Sequence, residues 1–309
     1  MGSLTPPKLL VVDFTNKEVL KPGSGSWASA CKDIRRALEN RGFFIPLYDE
    51  VSPELDKANF HAAAELFDLP TEVKAKNTYE KPFHGYVGQN PLIPLHEALG
   101  IDYATTHEGV QSFANLMWPK GNDSFSEISF SFAKTQAKLY EMVTKMLLES
   151  YGVAKYSDSH VDSTTYLLRF PKYRAPEMNE NTKGIASYTD ITFLTILYQN
   201  HIPGLEIRTR DGEWITVHFP PKSFVVLAGM SARVLSPAHK VTVDANRKET
   251  RYTIGLFSSL DKIVEVPEKL VDEQNALQFK PFHHQDLINF NATNQGQRSE
   301  NMLKDFCGV

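Results

Sequence analysis

Cysteine is scarce in this chain: Cys31 and Cys307 are the only two among 309 residues. They stand far apart and without zinc-type spacing, which argues against a disulfide framework or a structural zinc site and predicts free thiols in a reducing compartment. No run of 18 or more apolar residues occurs, and Met1-Gly2-Ser3-Leu4 does not open a charged-then-apolar leader, so neither a membrane span nor a signal peptide is expected. Pro6 sits where N-myristoylation requires Ser or Thr. A net charge of −4 leaves no basic footprint for nucleic acid or an anionic membrane. Repeats and low-complexity tracts are also missing. The expectation is a cytoplasmic protein whose sequons at Asn122 and Asn291 go unused.

What is present describes an ordinary globular core, with 41% hydrophobic and 23% charged residues. Leu9 to Phe14 reads as a short buried strand. A helix from about Trp27 to Arg41 buries Ala30, Ile34, Ala37 and Leu38 and stops at Gly42, and Phe43 to Leu47 returns as a strand. Ser52-Pro53 is an N-cap with proline at the first helical position, opening a helix to Phe67. Lys81 to Ile101, with its prolines and glycines, predicts an extended irregular loop. A long helix from Asp123 to Tyr151 carries the stripe Ile128, Phe132, Leu139, Val143 and Met146, with Gly152 placed to end it. Seven short β-rich runs follow between Thr164 and Ser258, with Asp211-Gly212 as a hairpin turn. Helices first and many short strands later predict a β-barrel or double sheet buttressed by helices.

The chemistry concentrates in Ser187-Tyr188-Thr189-Asp190, Pro237-Ala238-His239 and Arg251-Tyr252-Thr253. Two side chains at i and i+2 on a strand point the same way. Such a pair plus one distant His builds the 2-His-1-carboxylate triad of non-haem Fe(II) oxygenases, except that Tyr188 stands where the first His belongs. A keto-acid cosubstrate needs a planar cation for its far carboxylate, and Arg251 with Thr253 on the same face supplies that fork and a hydroxyl.

The order Asp190, His239, Arg251, with gaps of 49 (239 − 190) and 12 (251 − 239) residues, resembles the plant 2-oxoglutarate/Fe(II)-dependent dioxygenase family. Asn40-Arg41-Gly42-Phe43-Phe44, Leu194 to Gln199, Pro203 to Ile207 and Ile254 to Phe257 are similar to family segments, so the likeness spans nearly the whole chain. Lys81 to Gln89 and the C-terminal Phe306-Cys307-Gly308-Val309 look most like the branch containing the glucosinolate side-chain enzymes.

The resemblance implies a mixed α/β, mainly β fold. A double-stranded β-helix (jelly-roll) over 161–262 would carry helices of 1–160 outside it and a helical tail over 263–309, as one domain. It implies Asp190 and His239 as metal ligands, Arg251 and Thr253 at the distal carboxylate of 2-oxoglutarate, and Tyr173 near its other end. Fe(II) and 2-oxoglutarate are the implied cofactors, a small molecule of plant specialised metabolism the substrate, and a monomer the implied state. The chain departs from the family at Tyr188, at Thr253 in place of Ser, and in Ala228 to Pro237, which is about half a dozen residues shorter than its relatives.

A phenol has an unperturbed pKa of about 10 and must lose its proton to ligate iron, which favours Fe(III) over the Fe(II) that starts the cycle. Three readings follow. One is a redox-neutral enzyme (cyclisation, isomerisation or condensation) using Tyr188, Asp190 and His239 as proton-transfer groups. Another is an active hydroxylase or desaturase with an altered site, and the third is a non-catalytic binder. Tyr188 either packs in the space of the lost imidazole or acts as a hydrogen-bond donor or general acid/base. His84, Tyr86, His96 and Glu97, in the loop similar to the family's substrate cover, are candidate substrate-binding residues, each also readable as solvated or structural. Leu197 and Phe257 would line the barrel by strand alternation. His201 reads as a loop residue and His283-His284 as a solvated turn.

Overall fold

The structure is a computed structural model, and it describes residues 9–229, 234, 236–299 and 301–309. Ten strands build its centre: β1 (Val11–Asp13), β2 (Phe43–Leu47), β3 (His96–Asp102), β4 (Thr164–Tyr173), β5 (Leu194–Gln199), β6 (Leu205–Arg208), β7 (Trp214–Thr216), β8 (Val225–Ala228), β9 (His239–Val241) and β10 (Arg251–Leu260). The major sheet runs β1-β2-β8-β5-β10-β4-β3 and a smaller one runs β7-β6-β9. β1 pairs with β2 in parallel; the remaining ladders are antiparallel. The expected double sheet is therefore present, with helices packed on its outer face.

Alternation along β4 explains the layering. Leu168 and Phe170 face outward into the core shared with the helices, whereas Leu167, Arg169, Pro171 and Tyr173 face a cavity between the sheets. β10 repeats the pattern, turning Ile254 and Leu256 outward and Arg251, Thr253 and Phe257 inward. The long helix Asp123–Ser150 lies across the outer face through Phe132, Val143 and Met146, all fully buried. Its Gln136 donates to the carbonyls of Ile196 (3.1 Å) and Ile254 (3.3 Å), tying the helix to β5 and β10.

Local signals held where they were strongest. The helix Gly25–Arg41 ends at Gly42 in the left-handed region (φ 75°), and a Cβ there would meet Pro237 Cδ at 2.7 Å. The Ser52 side chain accepts from Leu55 N at the start of Pro53–Asp68. Asp211-Gly212 turns β6 into β7, with Gly212 at φ 90°. Two expectations need correction. Residues 96–101, read as irregular loop, form most of edge strand β3, because β4 supplies a seven-residue ladder for them. The helix His107–Met117 carried no strong sequence punctuation and was missed, although Thr106 caps it. The shortened 228–237 stretch lies in part (230–233 and 235) outside the described residues. Among the described residues no helix is long and apolar enough to cross a membrane.

Candidate active site

Tyr188, Asp190 and His239 are brought together at the cavity wall. Tyr188 and His239 exchange both main-chain hydrogen bonds (3.0 and 2.9 Å), an antiparallel bridge that holds their rings 4.3 Å apart between centroids. Ser236 Oγ accepts from Asp190 N at 2.9 Å and so fixes the other end of the Tyr188–Asp190 segment. Asp190 and His239 are nearly inaccessible, at 5% and 2% exposure. Tyr188 is 41% exposed, but that surface faces the cavity rather than the outside of the protein, so its phenol experiences an interior environment. Burial first, then the Asp190 carboxylate, push the Tyr188 phenol well above its ordinary value, against the opposing pull of Arg169 and Arg251. The hydroxyl stays protonated at neutral pH and is available as a donor.

His239 is oriented by its far side. Its Nδ1 lies 3.0 Å from the Pro237 carbonyl, a contact that only an N–H can make, so in the neutral ring Nε2 carries a lone pair. That Nε2 lies 3.7 Å from Asp190 Oδ1, and Asp190 Oδ2 is buried without a hydrogen-bond partner among the described residues. Two acceptors facing each other this way call for a shared proton or cation, and a backbone carbonyl behind the imidazole is how metal-ligating His is usually held. The donor set nevertheless fits Fe(II) only in part. Among the described residues no cluster of three His, Cys, Asp or Glu could hold a metal, and the third position offers a phenol that its surroundings keep neutral.

The carboxylate cradle is more complete. Arg251, 2% exposed, donates from Nη2 to Gln199 Oε1 at 2.7 Å, and its guanidinium lies 5.6 Å from the Tyr173 ring. Gln199 in turn donates to the Ile202 carbonyl at 3.0 Å, so its oxygen is held toward the arginine. Arg251 Nε and Thr253 Oγ1 are buried with no hydrogen-bond partner among the described residues. A buried donor left unpaired costs free energy that a ligand carboxylate would recover. These two residues fit the distal carboxylate of 2-oxoglutarate. Burial pushes Arg251 down to about 10, still charged at neutral pH.

The cavity measures about 740 Å³, within the range of small-molecule sites. His84, His96, Leu197 and Phe257 line it, as do Ile288 and Met302 from the C-terminal helices, which close one side. The His96 ring lies tilted against Tyr173, 4.7 Å between centroids, and burial together with the Arg169 charge pushes it down to about 4. His84 is also lowered, chiefly by burial, with Nδ1 on the Pro82 carbonyl at 2.8 Å.

Tyr86 is a correction. Its hydroxyl donates to Glu97 Oε1 at 2.7 Å, and Glu97 pairs with Lys74 at 2.6 Å, because β3 turns Glu97 away from the cavity that His96 and Ala98 face. His201 is exposed and pairs with Glu249 at 3.2 Å. His284, read as solvated, is buried instead: Nδ1 accepts from Leu260 N (3.0 Å) and Nε2 donates to the Ile191 carbonyl (2.7 Å), one residue from Asp190. Sequence reasoning also missed Gln199 and Arg169. Strand alternation from Tyr173 back through Pro171 would have reached Arg169.

Comparison with known proteins fits this geometry. A model described as the 2OG-Fe(II) oxygenase superfamily matches residues 155–259, and one described as the non-haem dioxygenase in morphine synthesis N-terminal region matches 11–119. The probable 2-oxoglutarate-dependent dioxygenase AOP1.2 of Arabidopsis thaliana is 39% identical over 97% of this chain and 95% of its own. The chain belongs to the 2-oxoglutarate/Fe(II)-dependent dioxygenase family. The 2-oxoglutarate-dependent dioxygenase AOP3 of the same plant is 31% identical, with 100% and 99% covered. Among solved structures, the dioxygenase for auxin oxidation of rice superposes with a TM-score of 0.81 at 25% identity, covering 97% of this chain and 100% of that one. Family membership thus rests on the whole chain, jelly-roll included, and not on the triad alone.

Proposed function

We propose that this member of the family has left the iron-dependent oxidative cycle and catalyses a redox-neutral step on a small molecule of plant specialised metabolism, a cyclisation, isomerisation or condensation. The observation that carries this reading is Tyr188: a neutral phenol, paired ring to ring with His239, stands where a third metal donor is needed. Within such a step the Tyr188 hydroxyl donates a hydrogen bond to a developing oxyanion. The unpaired Asp190 Oδ2 and the His239 Nε2 lone pair accept a proton. The largely apolar wall, with Leu197 and Phe257, orients the substrate and excludes water.

A second reading has its own support. The facing acceptors of Asp190 and His239, with the open cradle of Arg251 and Thr253, suit a retained Fe(II)/2-oxoglutarate hydroxylase or desaturase. When bound, iron would supply oxygen activation; Asp190 and His239 would hold it, and Arg251 and Thr253 would hold 2-oxoglutarate. The two readings part on one experiment: bound Fe(II) and conversion of 2-oxoglutarate to succinate in the native protein and in Tyr188→His. Turnover confined to Tyr188→His supports the redox-neutral reading, and robust succinate formation by the native protein overturns it.

A further inference from the structure

Cations around the cavity differ in their partners. Lys74 and Lys172 pair with Glu97, Lys81 with Asp102 (2.8 Å) and Arg174 with Glu180, and none of these four lines the cavity. Arg251 and Arg169 face inward and have no carboxylate among the described residues. Arg251 is explained by the cradle it forms with Thr253. Arg169 is not used by any step above.

Arg169 lies in the middle of β4 with its side chain in the cavity. Its only hydrogen bond among the described residues is a long one, Nη2 to the Gly85 carbonyl at 3.4 Å. The residue opposite it on each neighbouring strand is glycine, Gly100 on β3 and Gly255 on β10. A Cβ at Gly100 would meet the His84 carbonyl at 2.2 Å, so glycine there lets the 82–85 loop settle onto the sheet beside the guanidinium. Among the described residues no side-chain carboxylate pairs with the guanidinium, which lines the cavity. Burial pushes the group down to about 10, and the groups nearest in charge terms are the Tyr188 and Tyr173 phenols, not an acid. An arginine stays ionised under these conditions, and a half-buried guanidinium without an acid is open to an anionic ligand.

Arg169 and Arg251 also mark separate stations. In register, Arg251 lies opposite Tyr173 and Gly255 opposite Arg169, so the two arginines are four residue steps apart, about 13 Å along the sheet at strand rise. Arg169 therefore lies well along the cavity from the 2-oxoglutarate cradle. The charge of each arginine reaches the Tyr188 phenol, which places Tyr188 in the field of both.

We propose that the substrate is an organic acid whose carboxylate is held by the Arg169 fork, presenting its neighbouring carbons to Tyr188, Asp190 and His239. The inference rests on the cavity being the substrate site. A planar two-point fork favours a carboxylate over a neutral amide or ester. His84 and His96, both kept neutral, flank the wall without competing for the anion.

The test uses the full chain and a panel of aryl-alkyl monocarboxylates, such as 3-phenylpropionate and indole-3-acetate, each against its matched primary amide, with affinity read by saturation-transfer NMR and calorimetry. The native protein is expected to bind acids at least tenfold more tightly than amides. Arg169→Gln should abolish that preference, Arg169→Lys should keep part of it, and Arg251→Met should leave it intact while weakening 2-oxoglutarate binding. If Arg169→Gln fails to fold, a smaller acid preference in Arg169→Lys with an unchanged one in Thr253→Val decides the point, and the reverse pattern overturns it. Acids and amides bound equally would overturn the Arg169 assignment while leaving the cavity as a substrate site. A preference that survives Arg169→Gln, or disappears in Arg251→Met, overturns it as well. Failure of both acids and amides to bind overturns the inference together with the reading of the cavity.

Discussion

His239 Nε2 and Asp190 Oδ1 face each other at 3.7 Å, both acceptors, because the Pro237 carbonyl claims the other imidazole N–H. Their neighbour Tyr188 is a phenol that the same carboxylate helps keep protonated.

Tyr188→Phe separates packing from chemistry at this position. The ring contact with His239 survives, so the melting temperature is expected to stay within a few degrees. Turnover of the redox-neutral substrate should fall by roughly 10²–10⁴-fold if the hydroxyl serves the reacting oxygen. Comparable turnover in native and variant proteins would reduce Tyr188 to packing.

Removing the carboxylate fork has a graded signature. Arg251→Met should weaken 2-oxoglutarate binding by about 1.5–3 kcal/mol, the scale of a hydrogen bond to a charged group, and Thr253→Val by roughly 1 kcal/mol. Calorimetric titration reads both. Equal affinity in Arg251→Met would mean that the orphaned donors at Arg251 and Thr253 serve no carboxylate.

His284→Ala should destabilise the fold by about 2–5 kcal/mol, since it strands a buried Leu260 N–H and an Ile191 carbonyl together. Urea denaturation measures the loss. Because Ile191 adjoins Asp190, Fe(II) affinity should also fall in a Tyr188→His background.

Stability should decline in acid. His96 and His160 are held near a pKa of about 4 by burial, below the ordinary histidine value of about 6.5. Between those limits the unfolded chain binds protons that the folded protein refuses, so unfolding free energy rises with pH there and falls as pH drops from 6.5 towards 4. The loss is on the order of 3 kcal/mol per residue at most. His84 and His284, also lowered, add in the same direction. Urea midpoints at pH 7 and pH 5 should differ, and His160→Gln, which gives up the 2.8 Å contact with Tyr140, should flatten the slope even as it lowers the pH 7 value.

Much of the site was legible because strand alternation is short-ranged. Asp190 with Tyr188, and Arg251 with Thr253, sit at i and i+2, and His239 was recovered from its spacing to both. Tyr86 could not be placed the same way: one residue of register decides whether a loop side chain meets the cavity or Glu97. Gln199 meets the Arg251 guanidinium, and His284 a carbonyl and an N–H group, tens of residues away in sequence, which no local pattern announces.

The sequence by itself determined the family and the jelly-roll with its outer helices, because these depend on residue identity and periodicity. Tertiary structure decided which charges are satisfied. Only when β3, β4 and β10 are laid side by side does Lys172 find Glu97 on one face while Arg169 is left facing the cavity without an acid. Ion pairing depends on distances across strands, and those exist only in the folded chain.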